Sequence, residues 1–145
     1  MIPWYVYKRL ETIGSRVPRM LYIDTNIFIY LFENHVSYSE RVANKLEEYV
    51  GQGGRLITSS ITVTEFLAGT DTSSLETLHQ VPNLTIISLD EKLAEQAALL
   101  QRKAKIKIGD SIHLATALHL RAEAFFTNDK QLSKIVEQYI PVFNA

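Results

Sequence analysis

The chain is predicted to fold as an α/β protein, a three-layer α/β/α sandwich around a mostly parallel central sheet. Three observations predict it. Short apolar runs rich in Leu, Ile, Tyr and Phe alternate with segments of helical spacing. Polar or acidic residues that suit helix caps follow most of those runs. The 145 residues, 46% apolar, fit one domain with a core of its own, and no linker, repeat or low-complexity run divides them.

Each element follows in order. Residues 1–19 differ from the rest, with Trp4, Tyr5 and Tyr7 beside Lys8, Arg9, Arg16 and Arg19. They read as an N-terminal arm, with a short helix from Tyr5 to Ile13 ended by Gly14. Residues 20–145 read as the folded domain. MLYI (20–23) is a strand, and DTN follows as a turn or cap. NIFIYLF is ambiguous, because β-branched and aromatic residues suit a strand as well as a buried helix. Ser39 to Val50 has helical spacing at Val42, Leu46 and Val50, and Gly51, Gly53 and Gly54 stop it. RLITS (55–59) is the second strand, and Thr62-x-x-Glu65 matches a capping box at the start of the next helix. NLTIISL (83–89) is the third strand. Asp90 caps a helix to about Lys103, and Asp110 opens another through Arg121. AEAFFT (122–127) is the fourth strand, Asn128 and Asp129 begin a helix through about Val136, and residues 140–143 can close the sheet. Strands alternating with helices predict parallel pairing through right-handed crossovers.

Bulk properties exclude several functions. Net charge is −1, so a polyanionic ligand needs a local basic patch. The absence of cysteine removes disulfides and thiolate metal sites and is compatible with a cytoplasmic location. The apolar stretches around 21–32 are split by Asp24, Thr25 and Asn26 and fall short of the roughly 20 residues that a membrane span needs. The apolar start precedes Lys8 and Arg9, the reverse of a signal peptide.

Four acids, Asp24, Glu65, Asp110 and Asp129, sit at or near strand-to-helix junctions. Ligands of open α/β sheets bind beyond the carboxyl ends of strands. Carboxylates gathered there repel one another, and a divalent cation relieves that conflict. Hard oxygen ligands without Cys favour Mg²⁺ or Mn²⁺ over Zn²⁺. Such a cation equips a site for phosphodiester hydrolysis, by supplying a nucleophilic water and neutralising phosphate oxygens. Each acid also has a purely structural reading: an Asx turn for Asp24, the capping box for Glu65, an N-cap for Asp110, and a first-turn acid for Asp129.

The stretches LYIDTNIFIYLF (21–32), SSITVTEFLAG (59–69), IKIGDSIHLATAL (106–118) and FFTNDKQL (125–132) carry a resemblance. In this order they resemble the PIN-domain ribonucleases, most closely the small VapC-type toxins of toxin–antitoxin pairs. The resemblance spans about residues 20–143. It implies a PIN-like parallel sheet between helices and Mg²⁺- or Mn²⁺-dependent cleavage of RNA. It also implies catalytic and metal-binding roles for Asp24, Glu65, Asp110 and Asp129, with supporting hydrogen bonds from Asn26, Thr127 and Asn128. A small cognate antitoxin in the active-site groove and a homodimer are the implied partners. The N-terminal arm departs from the family pattern, in which the chain starts almost at the first strand.

Arg102, Lys103, Lys105 and Lys107 precede Asp110 and form a candidate RNA-backbone strip, or else a solvated helix end. Tyr30, Phe32 and Tyr38 suit packing better than base stacking. His113 and His119 are six residues apart, a poor spacing for one metal, and His35 and His79 stand alone, so all four read as non-catalytic. Two alternatives to an endoribonuclease remain. One is a non-catalytic PIN-like module that binds RNA or protein. The other is a phosphoacceptor receiver, disfavoured because DTN offers one acid where an adjacent pair is needed.

Overall fold

The computed structural model describes residues 19–33, 37–70 and 74–145. The expected arm over residues 1–19 lies outside them, apart from Arg19. The described elements are β1 (Met20–Ile23), α1 (Thr25–Phe32), α2 (Ser39–Gly51), β2 (Arg55–Ser59), α3 (Ser60–Gly69), α4 (Leu75–His79), β3 (Leu84–Ile87), α5 (Glu91–Ala104), α6 (Ile108–His119), β4 (Ala124–Phe126), α7 (Lys130–Val136) and β5 (Val142–Phe143).

The five strands form one sheet in the order β3-β2-β1-β4-β5, and every pairing is parallel. Alternation along β1 explains the layers. Leu21 and Ile23 point to one face, where they pack with Ile27, Phe28, Val42, Leu46 and Phe66 from α1, α2 and α3. Tyr22 points to the other, with Leu114 and Ala117 of α6 and Leu132 and Val136 of α7. Leu93 and Ala97 fasten α5 to Ile112 and Ala115 of α6. The result is the predicted three-layer α/β/α sandwich.

NIFIYLF, ambiguous by periodicity, is helix α1. Asp24 caps it by accepting from the Thr25 backbone N–H at 2.8 Å, and Thr25, Ile27 and Phe28 are buried. Burial outweighs the weak β preference of its isoleucines. The glycine stop after α2 also matches: Gly53 sits at φ +85, and Gly54 packs against the Tyr49 ring, where a Cβ would lie 2.8 Å from the Tyr49 carbonyl. α4 was not foreseen, because five residues carry too little periodicity. Tyr30 stacks near Tyr38 at 5.0 Å, and Phe32 meets Phe66 edge-on at 5.9 Å, so these aromatics serve packing. No helix among the described residues is long and apolar enough to cross a membrane.

Candidate active site

From β1 the chain steps outward to β2 and β3, then returns to the other side of β1 for β4 and β5. The topological switch point therefore lies between β1 and β4, where α/β sheets open a crevice at their carboxyl edge. Asp24 leaves β1 there. Its backbone N–H donates to the Phe126 carbonyl at 3.0 Å, tying it to the end of β4. Thr127, the next residue after β4, donates its hydroxyl to Asp24 Oδ2 at 2.7 Å, and Thr25 N–H donates to Oδ1. Asp24 is buried, and burial raises its pKa; His113 and these two donors oppose that rise, and Glu65 adds to it.

Glu65 arrives from α3, and the expected capping box is not formed. Ser59 is the N-cap, with its hydroxyl accepting from Ile61 N–H at 3.2 Å. Thr62 lies one turn further in, buried, 2.6 Å from the Thr58 hydroxyl. Because Thr62 turns into the core, Glu65 is free to turn toward the crevice. Its Oε1 accepts from Thr25 Oγ1 at 2.7 Å and lies 2.6 Å from His113 Nε2. The hydrogen bond from His113 holds the Glu65 carboxyl below its ordinary value, against the effect of burial.

Asp110 is in the first turn of α6, whose N-cap is Lys107, so Asp110 is not itself the cap. It is half-buried and is acted on by burial and charge, with no hydrogen bond among the described residues. Burial, then the charge of Asp24, push it up to about 6; Asp129 and Glu65 contribute, and His113 opposes. Asp24, Asp129 and Glu65 thus lie within electrostatic reach of Asp110, although burial is the larger cause of its shift. Asp129 sits at the rim as the N-cap of α7, with Oδ1 accepting from Gln131 N–H at 2.9 Å and Leu132 N–H at 3.1 Å. Its backbone N–H in turn donates to Thr127 Oγ1 at 3.1 Å.

The supporting residues divide. Thr127 is fully buried and binds Asp24 directly. Asn26, in the first turn of α1, has a buried Oδ1 that meets no hydrogen-bond partner. Asn128 makes no side-chain hydrogen bond to the acids in this structure. The four cations Arg102, Lys103, Lys105 and Lys107 are exposed along the α5–α6 turn, where Lys105 adopts φ 55 to end α5.

The residue that sequence reasoning missed is His113. The sequence reads it as non-catalytic, and in the structure it lies between Glu65 and Asp24. It is buried, 2.6 Å from Glu65 Oε1 and 3.6 Å from Asp24 Oδ1. Burial alone would lower its pKa, but Glu65, Asp24 and Asp110 outweigh burial and raise it. Its spacing to Asp110, three residues along one helix, was the available signal, since i and i+3 share a face.

Among the described residues no three acidic or imidazole groups close into a ready-made metal cage. Mg²⁺ does not need one. It takes one or two protein carboxylates and keeps several waters. The donor set fits that pattern, with Asp110 making no hydrogen bond among the described residues and its pKa raised by burial and by the charge of Asp24. A recess of about 440 Å³ among the described residues lies elsewhere; its lining is mostly apolar, with Phe32, Leu46, Val50, Leu56 and Val81 among others, and none of the four acids borders it.

Comparison with known proteins agrees with the fold. No curated protein sequence matches the chain. Among solved structures, VapBC2 from Rickettsia felis, bound to a DNA fragment from its promoter, aligns with a TM-score of 0.67 at 19% identity, covering 86% of this chain and 98% of that one. A toxin–antitoxin complex from Klebsiella pneumoniae aligns at 0.63 and 27% identity, covering 77% and 88%. VapC20 of Mycobacterium tuberculosis, described as a sarcin-ricin loop cleaving toxin, aligns at 0.65 and 13% identity, covering 79% and 94%. The family model for the PIN domain matches residues 21–138, the span that runs from the second residue of β1 through α7 and holds all four acids. The chain belongs to the PIN domain family.

Proposed function

We propose that the protein is a metal-dependent endoribonuclease, acting as the toxin of a toxin–antitoxin pair in the cytoplasm. What supports this reading is the acidic set at the switch point of a parallel sheet: Glu65 Oε1 and Asp24 Oδ1 lie 2.6 and 3.6 Å from His113 Nε2, and the charge of Asp24 acts on Asp110. Asp24 and Asp110 are the proposed principal metal ligands, with Glu65 and Asp129 completing the acidic set directly or through water. Bound there, Mg²⁺ or Mn²⁺ would neutralise phosphate charge and make its water more acidic.

The chain's own residues do the rest. Thr25 N–H and Thr127 hold the Asp24 carboxylate in one orientation, so little reorganisation is needed when charge arrives. Asp129 is held by the start of α7 and sits at the rim. The exposed cations of the α5–α6 turn are proposed to bind the RNA backbone, offsetting its repulsion from the acids. RNA is favoured as substrate because the family resemblance implies it and one structural neighbour is described as cleaving the sarcin-ricin loop. An antitoxin partner is favoured because neighbours were solved as such complexes; a homodimer rests on the family resemblance alone.

A second reading has two contacts in its favour. Glu65 is turned onto His113 and Asp129 caps a helix, which suits a module that binds RNA without cutting it. Incubating a defined RNA panel with purified protein in Mn²⁺, Mg²⁺ or EDTA, beside Asp24→Asn, separates the two. The nuclease reading expects metal-dependent cutting that the variant lacks. RNA retention in Mn²⁺ without turnover would replace it with the binding module.

A further inference from the structure

We infer that His113 is a positioning residue of the acidic site: the Tyr22 hydroxyl holds it as the Nε2–H tautomer, and it fixes the Glu65 carboxylate beside Thr25 and Asp24. The inference deepens the nuclease reading and rests on it for its consequence in cleavage. The tautomer is testable without any activity.

The proton assignment follows from the partners. Glu65 Oε1 lies 2.6 Å from Nε2 and, as a carboxylate oxygen, can only accept. Nε2 must therefore carry hydrogen. In a neutral imidazole Nδ1 is then a bare acceptor, and the Tyr22 oxygen lies 2.5 Å from it. Tyr22 is fully buried and stays a phenol, so its oxygen keeps a hydrogen to donate. Its own O–H is left to donate to Nδ1. The Tyr22 ring cannot turn away, because it stacks on Phe125 at 4.9 Å and meets the imidazole edge-on at 5.7 Å.

The consequence falls on Glu65, whose side chain is 40% exposed and rests on a surface-facing turn of α3. Without His113 the Thr25 hydroxyl would be its main remaining anchor. His113 and Thr25 together saturate Oε1. Oε2 is left on the side of Gly109, where an added Cβ would lie 3.2 Å away, next to Asp110. A buried core histidine satisfied by Tyr22 alone would need no second contact to an acid. Here one acid is at hydrogen-bond distance and another at 3.6 Å.

Long-range ¹H–¹⁵N correlation on the wild-type protein reads the tautomer directly, and the Nε2–H pattern is expected. His113→Gln keeps an N–H donor near the Nε2 position, and His113→Leu removes it. Loss of a partner that orients a ligating group typically costs about 10–100-fold. His113→Leu is therefore expected to lose that much cleavage and to need more Mn²⁺ for half-saturation, read both in cleavage and in Mn²⁺ binding by electron paramagnetic resonance. His113→Gln should recover most of both. An Nδ1–H tautomer or a doubly protonated ring at neutral pH would overturn the inference, as would Leu and Gln variants that fall equally in step with their thermal stability. If the wild type cut no RNA, the nuclease reading would fall, and the tautomer and the Mn²⁺ affinities would still decide the role of His113.

Discussion

Replacing Asp110 by asparagine should make the metal-free protein more stable while abolishing cleavage. Asp110 accepts no hydrogen bond among the described residues, and burial and three neighbouring acids raise its pKa from the ordinary 3.8 to about 6. A carboxyl whose pKa is raised on folding holds its proton more tightly in the folded state. Its ionised form therefore costs folding stability, fully above about pH 6, and that cost fades as pH falls toward 3.8. The gap corresponds to roughly 3 kcal/mol at full weight, and screening of a half-buried group reduces it to about 1 kcal/mol. In EDTA at pH 7.5, Asp110→Asn should then melt about 2–4 °C above the wild type, and the difference should shrink between pH 6 and 4. Adding Mn²⁺ should reverse the order, since a ligand at about 100 times its Kd stabilises by about 2.7 kcal/mol. Thermal melts across pH, with and without metal, make the measurement. A variant that is destabilised in EDTA, or whose advantage ignores pH, would refute the shared-crevice argument.

Other outcomes follow from single contacts. Thr127→Val removes the hydroxyl that binds buried Asp24 and should destabilise by about 1–3 kcal/mol near neutral pH, less where Asp24 is protonated, as read by urea denaturation. Gly54→Ala should destabilise measurably in the same assay, because the new Cβ overlaps the Tyr49 ring and approaches its carbonyl. Neutralising Arg102, Lys103, Lys105 and Lys107 together should weaken RNA binding across all sequences and flatten its salt dependence by about 0.7 per lost phosphate contact, with the fold unchanged by circular dichroism. An unaltered salt slope would place the RNA path elsewhere.

The amino-acid sequence by itself determined the layer order, the strands β1 and β2, the cap at Asp90 and the four acids. These are local facts: a side-chain period, a cap, a residue type at a junction. The resemblance of the four motifs to PIN-domain proteins then supplied their convergence, which local pattern leaves open for Asp110. The partners of each acid needed the tertiary structure. Thr62 and Glu65 have the spacing of a capping box, yet Ser59 takes the cap because β2 ends there, and Thr62 is drawn into the core beside Thr58. His113 looked isolated because its partners Tyr22 and Glu65 lie 91 and 48 residues away in sequence. Only the parallel packing of β1 and β2 beneath α6 brings them together. A residue's type can be read from the chain alone, but the charge it faces depends on which strands lie side by side, and that is set by burying both faces of the sheet at once.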